Sequence, residues 1–165
     1  DPELMHRRML CAGKPYCLLM NTRFEQFPPA LVEKYMKRSL AYGMFPGFFS
    51  HNASDGAYFT RPELYNRDRE LFRKYVPLCR MVAEAGWQPV TLARSGDERV
   101  YVERFGRKYL TVFNDSPQAR KVTIALDGLE PNGANDLVSG RAISWDKSSA
   151  TLQLDAEDVA VLAVK

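Results

Sequence analysis

The chain has 165 residues, of which 45% are hydrophobic and 26% charged, a composition typical of a globular protein with one domain or two small ones. No apolar run reaches the roughly 18 residues that a membrane span needs, so no membrane partner is expected. The net charge of +3 comes from interleaved basic and acidic residues rather than from a basic stripe, which argues against nucleic acid as a partner.

The three cysteines do not follow a metal-binding or disulfide pattern. Cys11, Cys17 and Cys79 are an odd set without CxxC spacing and without a neighbouring pair of histidines. We therefore predict neither a metal site nor a cofactor, and we interpret the cysteines as buried free thiols.

The first half of the chain has the apolar pattern of repeated β/α units. Continuous apolar runs indicate parallel strands covered on both faces, and apolar residues at helical spacing indicate helices between them. Proline at a helix start and glycine after a helix end supply the boundaries, whereas Pro77 is expected to kink the second helix. The predicted elements are strands over residues 16–20 and 44–49 and helices over residues 28–43 and 62–85.

The second half has the pattern of short antiparallel strands. From Gln88 onward, apolar and polar residues alternate, as in residues 100–102, 110–112 and 122–126, and turn-forming residues separate about eight such runs. This spacing predicts a small antiparallel β-sandwich. We therefore place a domain boundary after Gly86, with a β/α segment over 1–86 and a β-sandwich over 87–165.

The β/α segment is too short to close on itself. A TIM barrel takes eight strands and about 250 residues, and only two strands are predicted here. Their apolar faces would be open to water. We expect that surface to be covered either by a missing upstream segment of the barrel or by a second copy of the chain in a homodimer.

The candidate site follows from the ends of the two predicted strands. In β/α units the ligand binds beyond the carboxyl ends of the parallel strands. The polar residues after each strand are therefore the candidate substrate-binding residues: Asn21, Arg23, His51, Asn52 and Asp55.

These segments together resemble the C-terminal part of bacterial TIM-barrel glycoside hydrolases, in which the last barrel strands and helices lead into a β-sandwich. The likeness covers most of the chain and is carried by residues 15–21, 43–52, 62–86 and 136–162. It implies carbohydrate as the partner. It also implies a fold of the α/β plus all-β class, in which a partial β/α barrel segment precedes an antiparallel β-sandwich.

Glycoside hydrolases use two carboxylates that flank the scissile bond. In the resembled enzymes these acids lie on earlier barrel strands, so we expect them upstream and expect this chain to be inactive alone. Glu25 and Asp55 are the carboxylates nearest the predicted strand ends, and we interpret them as cap, turn or solvated residues. No catalytic residue is therefore assigned.

Several candidate residues keep two interpretations. His51 would hydrogen-bond sugar hydroxyls or shuttle a proton, or it is a loop histidine satisfied by the backbone. Arg23 would bind substrate, or it pairs with Glu25 or Asp55. A further set of aromatic residues is interpreted either as sugar-contacting surface or as core: Tyr42, Tyr58, Phe59, Trp87 and Trp145.

Three functions are compatible with this sequence. The first is a glycoside hydrolase fragment that lacks its catalytic acids. The second is a non-catalytic carbohydrate-binding or scaffolding module. The third, a complete small α/β enzyme with a site between two subunits, is disfavoured because no GxSxG, glycine-rich phosphate loop or HExxH motif is present.

Overall fold

The structure, a computed structural model, describes residues 2–13, 16–50 and 56–164. Three helices lie in its first half: α1 (Pro2–Leu10), α2 (Pro29–Ala41) and α3 (Pro62–Ala85). The strands in chain order are β1 (Cys17–Asn21), β2 (Phe45–Phe49), β3 (Trp87–Gln88), β4 (Ala93–Ser95), β5 (Val100–Phe105), β6 (Tyr109–Asn114), β7 (Arg120–Leu126), β8 (Ala134–Asp136), β9 (Ala142–Ile143), β10 (Ser149–Leu154) and β11 (Val159–Val164).

The first half forms the predicted pair of parallel strands with helices packed on it. β1 and β2 are adjacent and parallel, with Asn21 opposite Phe49 at their carboxyl ends. The predictions of α2 and α3 are confirmed, and α3 continues through Pro77. Within the described residues the pair gains no further strand, so no barrel forms there.

The two faces of the β1–β2 pair differ in burial. Leu18 and Met20 point towards the helices and pack against the buried cluster there. The alternate residues, among them Cys17 and Leu19, point the other way, and the Leu19 side chain is 55% exposed. The expectation that this strand is covered on both faces is therefore met on one face only within this chain.

The second half consists of two antiparallel sheets. The smaller has the strand order β10-β7-β4, and the larger has the order β3-β5-β6-β11-β8-β9. Apolar side chains from both sheets form one buried cluster, which includes Val112, Ile124, Leu152 and Leu162. The strands number nine among the described residues rather than about eight, because β3 and β9 are too short to show alternation.

Buried side chains cross the predicted boundary at Gly86. The cluster around α2 and α3 also contains Trp87, Phe105, Phe113 and Val161 of the larger sheet. The hydroxyl of Thr111 in β6 donates a hydrogen bond to the carbonyl of Ala41 at 2.5 Å. The helices are therefore packed directly on the larger sheet.

The burial of the cysteines differs from the expectation that all three are buried. All three cysteines are free, but only Cys79 is buried, whereas Cys11 is half-buried and Cys17 exposed. The prediction of three buried thiols was thus wrong for Cys17, whose side chain lies on the uncovered face of β1.

In the part of the chain that the structure describes, no helix is both long and apolar enough to cross a membrane.

Candidate functional site

The carboxyl ends of β1 and β2 meet at one edge of the parallel pair. Thr22, just after β1, donates its backbone N–H to the carbonyl of Phe49 at 3.3 Å. Ser50, which follows β2, is buried, and its hydroxyl donates to the carbonyl of Gly56 at 3.2 Å. The two segments that were predicted to carry the site therefore begin side by side.

The predicted site residues are only partly visible at this edge. Asn21 is the last residue of β1 and is exposed, and Arg23 is exposed as well and precedes a short 3-10 turn. Arg23 forms no ion pair with Glu25 in this turn, so that proposed pairing is not seen. His51, Asn52 and Asp55 lie outside the described residues.

Asn21 and Thr22 line a cleft of about 430 Å³ that runs along β1 between α1 and α2. Its apolar wall includes Leu4, Leu18 and Met20. Three basic residues line it as well, and each is paired within this chain: Arg7 with Glu3, Lys34 with Glu157, and Arg38 with Asp115. Because these charges are already compensated, the cleft suits an apolar segment better than an anion.

An aromatic cluster connects the exits of both strands. Phe24, just after β1, contacts Tyr58, beyond β2, with ring centroids 5.6 Å apart. Phe59 lies against Tyr58 at 5.5 Å and is 62% exposed. Tyr58 is completely buried, as is Tyr42 at the end of α2, so Phe59 alone of these three residues supplies aromatic surface.

A buried polar network fixes these exits to α3. The Tyr58 hydroxyl donates to Asp68 Oδ2 at 2.5 Å, and Arg67 donates to both oxygens of Asp68 at 2.8 and 2.7 Å. Arg67 also donates to the Phe27 carbonyl at 2.6 Å. Burial, together with the Asp68 contact, raises the pKa of Tyr58, so the phenol remains a proton donor in this network.

The sequence contains a signal for this network in the position of Asp68. Asp68 lies four residues after Leu64, four before Phe72 and seven before Tyr75, so it falls on the apolar face of α3. An acidic residue at such a position needs buried partners. Asp68 is 1% exposed and has those partners in Arg67 and Tyr58.

The described carboxylates near the exits do not form the pair that glycoside hydrolysis requires. Glu25 is exposed, and Asp68 is fully engaged by Arg67 and Tyr58. Among the described residues no cluster of three or more potential metal ligands occurs. The described part of the site thus offers no acid and base set across a bond.

The two tryptophans lie away from this edge and are mainly packed inside. Trp87 is buried in the cluster beneath the helices, and its indole N–H donates to Glu103 Oε2 at 2.5 Å. Trp145 is half-buried against the cluster between the sheets. These positions favour the interpretation of both residues as core aromatics.

No protein-family model matches this sequence, and no curated protein matches it. Solved structures do match its fold. The α-amylase from Geobacillus thermoleovorans aligns with a TM-score of 0.64 and 13% identity, over 99% of this chain and 42% of the amylase. An Anoxybacillus α-amylase aligns with a TM-score of 0.56 and 17% identity over the same shares of the two chains.

A third match is a family 30 xylanase from Clostridium acetobutylicum, with a TM-score of 0.51 and 14% identity over 100% of this chain and 45% of the xylanase. At these identities the likeness is one of fold. The chain spans less than half the length of each of these glycoside hydrolases. Its fold of α/β elements and antiparallel sheets therefore resembles part of a glycoside hydrolase.

Proposed function

We propose that this chain is the C-terminal part of a larger carbohydrate hydrolase of the glycoside hydrolase type. Residues 1–86 are the last β/α units of its barrel, and residues 87–165 are its C-terminal β-sandwich. The observation that carries the proposal is the fold likeness to two α-amylases, which extends over 99% of this chain but 42% of theirs. Such a match, complete on one side and partial on the other, is expected of a piece of a larger enzyme.

The uncovered face of the parallel pair supports this proposal. We call it the open face; it carries Cys17, Leu19, Asn21, Gly47 and Phe49, with Leu19 and Phe49 55% and 43% exposed. In a closed barrel this face lines the interior, and both edges of the pair bond to neighbouring strands. The occupant that we propose for it is therefore the preceding barrel strands of the same polypeptide.

In this proposal the chain contributes the rim of a carbohydrate site. Asn21, Arg23, His51, Asn52 and Asp55 follow the barrel strands and would contact sugar hydroxyls at the rim. The catalytic carboxylates belong to the upstream strands, so the 165-residue chain has no hydrolytic activity by itself.

A second candidate function is a non-catalytic carbohydrate-binding module. The observation that favours it is Phe59, whose ring is 62% exposed beside the strand exits and rests on Tyr58, Tyr65 and Phe72. A ring held rigidly by its neighbours can stack on a sugar without any catalytic group nearby.

The decisive experiment compares this chain with the polypeptide encoded by its extended reading frame. The upstream frame is expected to continue with further β/α repeats that carry strand-end Asp or Glu residues. The longer polypeptide is expected to hydrolyse soluble starch or xylan, whereas the 165-residue chain releases no reducing sugar. Hydrolysis by the short chain, or an upstream stop codon, would overturn the proposal.

The second candidate function, a carbohydrate-binding module, is tested by measuring carbohydrate binding instead of hydrolysis. In affinity electrophoresis, gels that contain soluble starch or xylan would retard the 165-residue chain. The Phe59→Ala variant would not be retarded. The matched control is Leu129→Ala, another exposed apolar residue, 41% exposed, in the second half of the chain. Retardation that is equal in both variants would exclude Phe59 as a sugar platform.

A further inference from the structure

One buried cation near the other end of the parallel pair lacks a complete set of partners. Arg8 lies in the last turn of α1 and is 4% exposed, and its Nε has no hydrogen-bond partner among the described residues. Its guanidinium lies over the Trp87 ring, 5.6 Å from the ring centroid. Leaving a buried donor without a partner is energetically costly, so the geometry points to a partner that this chain does not supply.

Arg8 faces a cavity of about 370 Å³. Its wall includes Gly13, Gly43, Gly86, Phe45 and Trp87. A Cβ atom added to Gly13 or Gly86 would meet no atom within 4 Å, so the backbone there borders empty space. The volume falls within the range of about 300–1,000 Å³ that small-molecule sites have.

The acidic residues nearest this cavity are occupied elsewhere. Glu103 attracts Arg8 at long range but accepts the short hydrogen bond from the Trp87 indole. Glu84 lines the cavity, but its side chain is 63% exposed and its carboxylate pairs with Arg80 at 2.7 Å. In the described part of the chain, Arg8 therefore has no carboxylate in ion-pair contact.

The shape and charge of the site indicate the class of ligand. The Trp87 ring lies on one side of the guanidinium, and a guanidinium offers N–H donors that match a carboxylate bidentately. A single cation next to the aromatic side chains of Phe45 and Trp87 favours a singly charged ligand with an apolar body. Inorganic phosphate, with a higher charge, would need further donors.

We propose that the cavity between Arg8, Trp87 and the glycines Gly13 and Gly86 binds a small organic monocarboxylate, whose oxygens accept hydrogen bonds from the Arg8 guanidinium. The site lies at the amino-terminal end of β2, where Phe45 begins the strand, and not at the strand exits described above. It is thus a second site, independent of the proposed carbohydrate site.

Trp87 provides a direct readout of this site. The chain has two tryptophans, so in a Trp145→Phe background the emission comes from Trp87 alone. Benzoate and acetate are titrated at constant ionic strength against chloride. We expect a saturable change in emission, with benzoate binding more tightly than acetate because its ring gains contact with the apolar wall.

Substitution tests the role of the guanidinium. Arg8→Gln is expected to weaken benzoate binding more than tenfold. Arg8→Lys is expected to weaken it less, because lysine keeps the positive charge and loses only the paired N–H donors of the guanidinium. The matched control is Arg80→Gln, which removes an exposed arginine from α3 and should leave the titration unchanged. Equal titrations in Arg8→Gln and the parent would overturn the proposal.

A measurement on the unsubstituted protein covers the case in which Arg8→Gln does not fold. The side-chain ¹⁵N–¹H resonance of Arg8 Nε, assigned with the Arg8→Lys variant, is expected to move downfield as benzoate is added. A resonance that does not move at saturating benzoate, or tighter binding of inorganic phosphate than of benzoate, would contradict the assignment of a carboxylate site.

Discussion

The two faces of the β1–β2 pair differ in how fully this chain covers them. On the face towards the helices, the Tyr35 hydroxyl donates to the Gly47 carbonyl at 2.8 Å, and Phe48 packs edge-on against the Tyr35 ring at 5.4 Å. On the open face, Leu19 and Phe49 expose half of their apolar side chains. The same ten residues therefore have one face that this chain covers and one that it leaves to another segment.

The helices on the covered face also contact the antiparallel sheets, through an ion pair and through close packing. α2 contributes Lys37, which pairs with Asp158 at 2.8 Å, and Gly43, which follows the helix, touches the ring of Phe105 in β5. The comparison predicts that substitutions on the covered side destabilise the fold, whereas substitutions on the open face do not. Five substitutions test this difference.

The largest effect is expected at Gly43. Its φ of +60° is strained for other residues, and a Cβ there would overlap the Phe105 ring. Gly43→Ala should therefore lower the free energy of unfolding by about 3 kcal/mol, measured by urea denaturation.

Gly128→Ala is the matched control for that measurement. Gly128 has a similar φ of +72°, but an added Cβ would meet no atom within 4 Å. The control should lose about 1 kcal/mol, the cost of the backbone conformation alone. Equal losses in both variants would mean that Gly43 does not join the two halves.

Asp68→Asn should produce the next largest effect. The substitution removes the charge that Arg67 and Tyr58 both contact in the interior. We expect a loss of about 2 kcal/mol in the free energy of unfolding, below the full cost of breaking a buried pair because Arg67 is partly exposed. A stability equal to that of the parent would show that the network does not hold the strand exits on α3.

Glu103 should give a pH-dependent effect. Burial raises the pKa of Glu103, so its protonated form favours the folded state, and this contribution is lost as pH rises from about 4, the ordinary value for a glutamate, through the raised pKa. The stability of Glu103→Gln relative to the parent should therefore increase with pH over this range. Urea midpoints at pH 4 and pH 7 that keep the same difference would contradict this assignment.

A smaller effect is expected for Lys37→Met. The Lys37 ammonium is mostly shielded and pairs with Asp158 across the two halves. Its loss should cost about 0.5 kcal/mol, and less at high salt. Arg80→Met, which removes an exposed ion pair within α3, should leave the urea midpoint unchanged. Identical shifts of the urea midpoint in the two variants would mean that the Lys37–Asp158 pair does not stabilise the contact between the two halves.

The smallest effect is expected on the open face. Leu19→Thr replaces an apolar side chain that is 55% exposed and keeps a residue suited to a strand. We expect a change within about 0.5 kcal/mol in the free energy of unfolding of this chain. A loss of 2 kcal/mol or more would mean that Leu19 is covered within the chain.

The sequence predicts the elements whose spacing is regular. α2 and α3 follow from apolar residues at helical spacing with proline and glycine at their ends, and β5, β6 and β7 follow from apolar residues at every second position. α1 was missed because a helix of nine residues is too short to show a clear helical periodicity, and Leu4 is buried only by tertiary contacts. β1 was predicted correctly, but its pattern does not say which face remains uncovered.

The candidate site was predictable only at the level of the chain segments. The rule for strand ends selects Asn21 and the segment after β2, and these segments do begin side by side. Burial of Tyr42 and Tyr58 was not predictable, because an aromatic residue beside a loop packs inward or outward according to distant partners. The cation–π contact of Arg8 with Trp87 joins residues far apart in the sequence, and no local pattern reveals such a contact.

Hydrogen exchange of the backbone amides, followed by mass spectrometry of the peptides, tests the central comparison most directly. Two strands without further partners are marginally stable, so we predict that the amides of β1 and β2 exchange through local opening well before those of β6 and β11, which lie inside a six-stranded sheet. Exchange of β1 and β2 at the same slow rate as β6 and β11 would contradict the account, because the parallel pair would then be complete within this chain.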